Sequence, residues 1–101
     1  MSELQTIRRI TIYADASLEQ FLLEQILKLG AKGYSVSECR GKGKHEIIED
    51  PYTGISRVRI ETLVQAAVGD KIMQYLARDE FKRRAMAACM DVVEATTGED
   101  F

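Results

Sequence analysis

Residues 56–63, Ser-Arg-Val-Arg-Ile-Glu-Thr-Leu, alternate polar and apolar side chains almost without a break. A period of two belongs to a strand with one dry face and one wet face, which puts Val58 and Ile60 toward a core. The segment from Thr6 to Tyr13 reads the same way, with Ile10 and Ile12 on one face and Arg9, Thr11 and Tyr13 on the other. Each of these strands has a helical pattern beside it. After Asp15 and Ser17, either of which can cap a helix, Leu18, Phe21, Leu22, Ile26 and Leu29 recur at steps of three and four, and Gly30 stands where a terminator is expected. From Val64 to Arg78 the residues Val64, Val68, Ile72 and Leu76 recur at steps of four, with Gly69 costing about 1 kcal/mol relative to alanine.

Two further strands complete the pattern, Tyr34 to Cys39 and Met86 to Glu94, the second with an Ala/Met-rich composition that suits a helix as well. The chain therefore divides into two strand-helix-strand halves of nearly equal length. That predicts an α+β fold, the ferredoxin-like split βαβ sandwich: a four-stranded antiparallel sheet with two helices on one face. At 101 residues the chain has room for one domain, taken as 1–101. The sheet face turned away from the helices, with Tyr13, Cys39 and part of the last strand, is expected to be apolar enough to want a partner, so a homo-oligomer is expected.

Composition narrows the function. Fourteen Lys/Arg against sixteen Asp/Glu leave a net charge of −2, which gives no long-range attraction to nucleic acid or an anionic membrane. No apolar run approaches the roughly 18 residues of a spanning helix, and the start lacks the features of a secretory signal, so a cytoplasmic protein without direct membrane insertion is expected. His45 has no metal-ligand pattern around it, and Cys39 and Cys89 lie far apart without a histidine at useful spacing. There is no serine elbow and no outstanding carboxylate pair. An enzyme, a catalytic cofactor and a metal site are not expected.

Two basic segments stand apart from this background. Arg40-Gly41-Lys42-Gly43-Lys44 directly follows a strand, and its glycines permit turns in which backbone amides converge on an anion such as phosphate. Lys82-Arg83-Arg84 lies between the second helix and the last strand. Each can equally be a solvated turn. Between Arg40 and Gly54 the chain also has a connection long enough for so small a domain to suggest function.

The run Lys32-Gly33-Tyr34-Ser35-Val36-Ser37-Glu38-Cys39-Arg40-Gly41-Lys42-Gly43, with the helix before it, the long loop and the Thr97-Gly98-Glu99-Asp100 segment, resembles the PII signalling superfamily. The closer resemblance is to its PII-like members associated with carboxysomes or bicarbonate uptake. It implies a homotrimer that binds adenine nucleotide in the clefts between subunits, at Gly33, Ser35, Arg40, Gly41 and Gly43. Lys82, Arg83 and Arg84 would supply further positive charge. It also implies a T-loop at about 41–57 that contacts a cytoplasmic or membrane-transporter partner, and bicarbonate as a second effector. The family's glycine-rich turn before the last strand is replaced here by Asp79-Glu80-Phe81-Lys82-Arg83-Arg84, which favours AMP or ADP over ATP with magnesium. Tyr52 does not match the loop tyrosine that the family modifies. The alternative is a metal-responsive or other small-molecule-responsive trimer of related fold that does not sense nucleotides.

Overall fold

The computed structural model describes residues 4–40, 57–81, 86–96 and 101. The expected loop at 41–57, apart from Arg57, lies outside these residues, as do Gly41, Gly43, Lys82, Arg83, Arg84 and the segment 97–100. Strand β1 (Gln5–Asp15) leads through a short 3₁₀ turn at Ala16–Leu18 into α1 (Glu19–Lys28), followed by β2 (Ser35–Cys39). The second half repeats the plan with β3 (Arg57–Val64), α2 (Ala66–Leu76), a 3₁₀ turn at Asp79–Phe81 and β4 (Met86–Ala95). The strands form one antiparallel sheet in the order β2-β3-β1-β4, the split βαβ topology predicted by the two halves.

Alternation in the sequence becomes layering in the structure. Ile10, Ile12 and Ala14 of β1 and Val58, Ile60 and Val64 of β3 are buried, and with Leu22, Leu23 and Ile26 of α1 and Ile72 and Leu76 of α2 they form one core. Phe21 departs from the expected core and is 44% exposed, while Leu23 is buried in its place. The helical period explains the exchange. At 100° per residue Phe21 stands about 140° from Ile26 around the axis, whereas Leu23 stands about 60° from it.

Local chemistry sets the helix ends. The Asp15 carboxylate accepts from the Ser17 amide at 2.9 Å and so fixes the turn that enters α1. At its other end Gly30 adopts φ +122°, and the amides of Ala31 and Gly30 donate to the carbonyls of Ile26 and Leu27, a Schellman closure. A Cβ on Gly30 would also lie 3.0 Å from Val68 Cγ2, so the same glycine lets α1 end against α2. Gly69, costly for helix propensity, has a packing reason: a Cβ there would meet Met90 Sδ at 3.0 Å and Arg8 Cβ at 3.3 Å. Its absence lets α2 settle on β1 and β4.

β4 resolves the ambiguity of its composition as a strand because it pairs with β1 along its whole length, from Gln5 opposite Ala95 to Ala14 opposite Met86. Its inward residues Met86, Ala88 and Met90 pack against the core. The face away from the helices is not uniformly apolar. Tyr13 and Cys89 share it with Arg9, Asp91, Arg59 and Glu61, and the last four form two ion pairs, Arg9 with Asp91 and Arg59 with Glu61.

Candidate functional site

The start of β2 is held by a bond that crosses the sheet edge. Thr62, 2% exposed, donates its hydroxyl to the Gly33 carbonyl at 2.6 Å. This satisfies a buried hydroxyl and pins the entry to β2 against β3. Beside it a groove of ≈ 380 Å³ runs between the start of β2 and the open face of the sheet. Gly33, Tyr34 and Ser35 form one wall; Glu61 and Leu63 of β3, Arg9 of β1 and Phe101 contribute to the rest, with Lys32 at the rim. This volume lies within the range of small-ligand clefts.

Pairing brings these residues together. Ser35 lies opposite Glu61, and Leu63 lies opposite Arg9. On the far side of Arg9 stands Asp91, which accepts from Arg9 Nε at 3.1 Å and Nη2 at 2.7 Å. The bidentate bond and the charge of Asp91 raise the Arg9 pKa above its ordinary value, with desolvation opposing them, and hold the guanidinium at Asp91 beside the groove. The lining thus offers a hydroxyl, a carboxylate, two cations and two aromatic rings, a set suited to a polar ligand with a planar part.

Of the expected site residues, Gly33 and Ser35 line this groove. At Gly33 a Cβ would meet no atom within 4 Å, so in a single subunit neither space nor conformation demands glycine there. Arg40 lies beyond the opposite end of β2, roughly 16 Å from Ser35 along the strand. Cys39 pairs with Arg57, Arg57 with Asp15, and the neighbouring Ala14 with Met86. The Arg40 end of β2 and the beginning of β4, which follows the 82–84 basic cluster, are therefore at one end of the sheet. They occupy opposite edges, about 14 Å apart across three strand spacings. Just before the cluster, Phe81 is buried edge-on against Tyr75, with ring centroids 5.1 Å apart. Burial, reinforced by Glu80, pushes the Tyr75 phenol pKa up.

Tyr34, Lys32, Arg9, Glu61, Thr62 and Phe101 are groove residues that sequence reasoning misses. They belong to separate segments, and only strand register and chain return join them. The alternation that places Arg9 and Glu61 on one face is the available signal. Among the described residues no helix is long and apolar enough to cross a membrane, and no group of three or more His, Cys, Asp or Glu could hold a metal ion.

Comparison with known proteins gives the class. The family model of the nitrogen regulatory protein P-II matches residues 7–99, and the chain belongs to that family. The family is one of regulatory proteins. A Thermus thermophilus protein assigned to the PII-like signalling class is 33% identical, with a TM-score of 0.80 and 97% of each chain covered. CPII of Thiomonas intermedia, in a structure bound to ADP, AMP and acetate, has a TM-score of 0.83 at 17% identity, covering 97% of this chain and 96% of CPII. The same protein bound to ADP and bicarbonate gives 0.80 at 16% identity, covering 92% and 91%. No curated protein matches the chain.

Proposed function

We propose that this chain is a PII-like regulator that senses adenine nucleotide, AMP or ADP, in the clefts of a cytoplasmic homotrimer. The observation that carries the proposal is the division of the candidate site between the two sheet edges. The groove and Arg40 are at β2 on one edge, and the approach to Lys82, Arg83 and Arg84 is at β4 on the other. In one subunit the strand ends beside them stand about 14 Å apart and do not close into a single pocket. A neighbouring subunit that sets its β4 edge against this β2 edge can, with the base and ribose in the groove beside Ser35 and the phosphates directed along β2 toward Arg40, Gly41 and Gly43.

The likeness to CPII, whose structures hold ADP, AMP and bicarbonate, supports the ligand class and makes bicarbonate the natural second effector. Binding changes the equilibrium of the 41–57 loop if the two loop states differ in their contacts with ligand, which is the physical requirement for a ligand to control partner choice. The partner of this loop is then an inorganic-carbon transporter or a carboxysome-related protein. No bond is made or broken. Titration calorimetry with AMP, ADP, ATP and GTP, run beside light scattering, tests the reading. AMP or ADP is expected to bind most tightly to a species of three times 11.4 kDa. A monomer, or a panel without any adenine-nucleotide binding, overturns it.

A further inference from the structure

Tyr34 and Phe101 line the same groove from separate segments of the chain, one at the entry to β2 and the other six residues beyond the end of β4. Tyr34 is 48% exposed and Phe101 is half-buried. Among the described residues the aromatic pair in ring contact is Tyr75 with Phe81. Tyr34 and Phe101 thus line a shared cleft, and among the described residues no ring contact joins them. Tyr75, by contrast, has Phe81 against its ring and the Arg78 guanidinium 5.5 Å from its ring centroid. Two rings left apart around a cleft are expensive to hydrate, and a flat apolar body between them removes both faces from water.

The polar groups of the groove restrict what that body can be. Ser35 and Glu61, neighbours across β2 and β3, offer acceptors beside the cleft, while Lys32 and the Ser35 hydroxyl offer donors. A planar heterocycle with its own edge donors and acceptors fits such a lining better than a plain hydrocarbon, whose entry would strip water from these groups without replacing their bonds. Resting on the nucleotide reading above, we propose that Tyr34 and Phe101 form an aromatic clamp that receives the purine ring, making Phe101 a residue that sets affinity for the base.

Base-on-aromatic stacking predicts a loss of about tenfold when one ring is removed. Calorimetry on the full chain tests this with adenosine, ADP and ribose 5-phosphate. Phe101→Ala is expected to weaken adenosine and ADP by the same factor and to leave ribose 5-phosphate unchanged, since that probe has no base. Phe101→Trp should keep wild-type affinity or exceed it, and Tyr34→Phe should keep it while Tyr34→Ala repeats the loss. A thermal melt that matches wild type shows that the variant is folded. Wild-type binding of adenosine that survives both Phe101→Ala and Tyr34→Ala within twofold overturns the clamp and leaves the nucleotide reading standing. Equal losses for all three probes overturn it too, because they would mark a general disturbance of the groove. Wild-type protein that binds none of adenosine, AMP and ADP overturns the nucleotide reading and the clamp with it.

Discussion

On the helix-covered side of the sheet, Ile10, Ile12, Val58 and Ile60 are sealed from water, while on the other side the same two strands present Arg9, Tyr13, Arg59 and Glu61. The two faces are one residue apart in sequence and differ in chemistry, although Ile7 and Thr11, in step with Arg9, are buried as well. Where the helices supply a second apolar layer, burial is complete and polar groups are rare; Thr62 is tolerated because the Gly33 carbonyl accepts a hydrogen bond from its hydroxyl. Where no helix lies, charges hold each other in place through Arg9 with Asp91 and Arg59 with Glu61. The first face stabilises the subunit. In the function proposed above the second carries recognition, because ordered charges and a groove cost little to keep beside water and respond to whatever covers them.

The sharpest way to break this contrast is to change neighbours. Ile60→Ala should destabilise the chain by about 2–5 kcal/mol through lost burial and the cavity left between β3 and the helices. Arg59→Ala, one residue away on the other face, should change stability by about 0.5 kcal/mol or less. Urea unfolding of both variants reads the difference. A loss below about 1 kcal/mol for Ile60→Ala would mean that the helix face is not the closed core described above.

Two glycines make a second, smaller comparison. Gly30→Ala places a side chain at φ +122° and sets a Cβ 3.0 Å from Val68 Cγ2, so a loss of roughly 1–2 kcal/mol is expected. Gly33→Ala meets no atom within 4 Å and should leave folding stability nearly unchanged. Thermal unfolding of the pair separates a glycine that the fold needs from one that only a ligand or a neighbouring subunit could need. Equal shifts in the two variants would remove that distinction.

The contrast between the faces also explains what is legible in the sequence. Ile10, Ile12, Val58 and Ile60 announce themselves because burial against a layer imposes a period of two, and Leu22 and Ile26 because a helix on that layer imposes steps of four. Phe21 misleads because its three- and four-residue neighbours satisfy the step rule, although its angle puts it on the far side from Ile26. The groove is legible only at Gly33 and Ser35, through the resemblance of a contiguous run. Arg9, Glu61 and Phe101 reach it from residues 26 or more positions away from Ser35, by strand pairing and chain return that no local pattern encodes. Charge marks Lys82 to Arg84, charge together with the resemblance marks Arg40, and register, not spacing, shows that the strand ends beside them stand at one end of the sheet on opposite edges.

The smallest expected effect on the isolated subunit is at Asp91. Its partner Arg9 is half-exposed, as is Asp91 itself, so water and salt screen the pair. Asp91→Asn should therefore leave the melting temperature of the dilute, unassembled subunit where it is, at low and at high salt. Assembly changes the balance: if the proposed trimer covers the open face, the pair loses its water, and a lone Arg9 guanidinium becomes a buried charge without its carboxylate. The same substitution is then expected to shift light-scattering mass toward smaller species on dilution, at protein concentrations where the wild type remains assembled. A variant that stays assembled at every dilution, with an unaltered melt, would place the subunit contact elsewhere and leave the Arg9 and Asp91 pair as an ornament of the groove wall. A variant that loses stability even as a dilute subunit would instead show that the open face helps to hold the fold, and the division of labour between the two faces would fail.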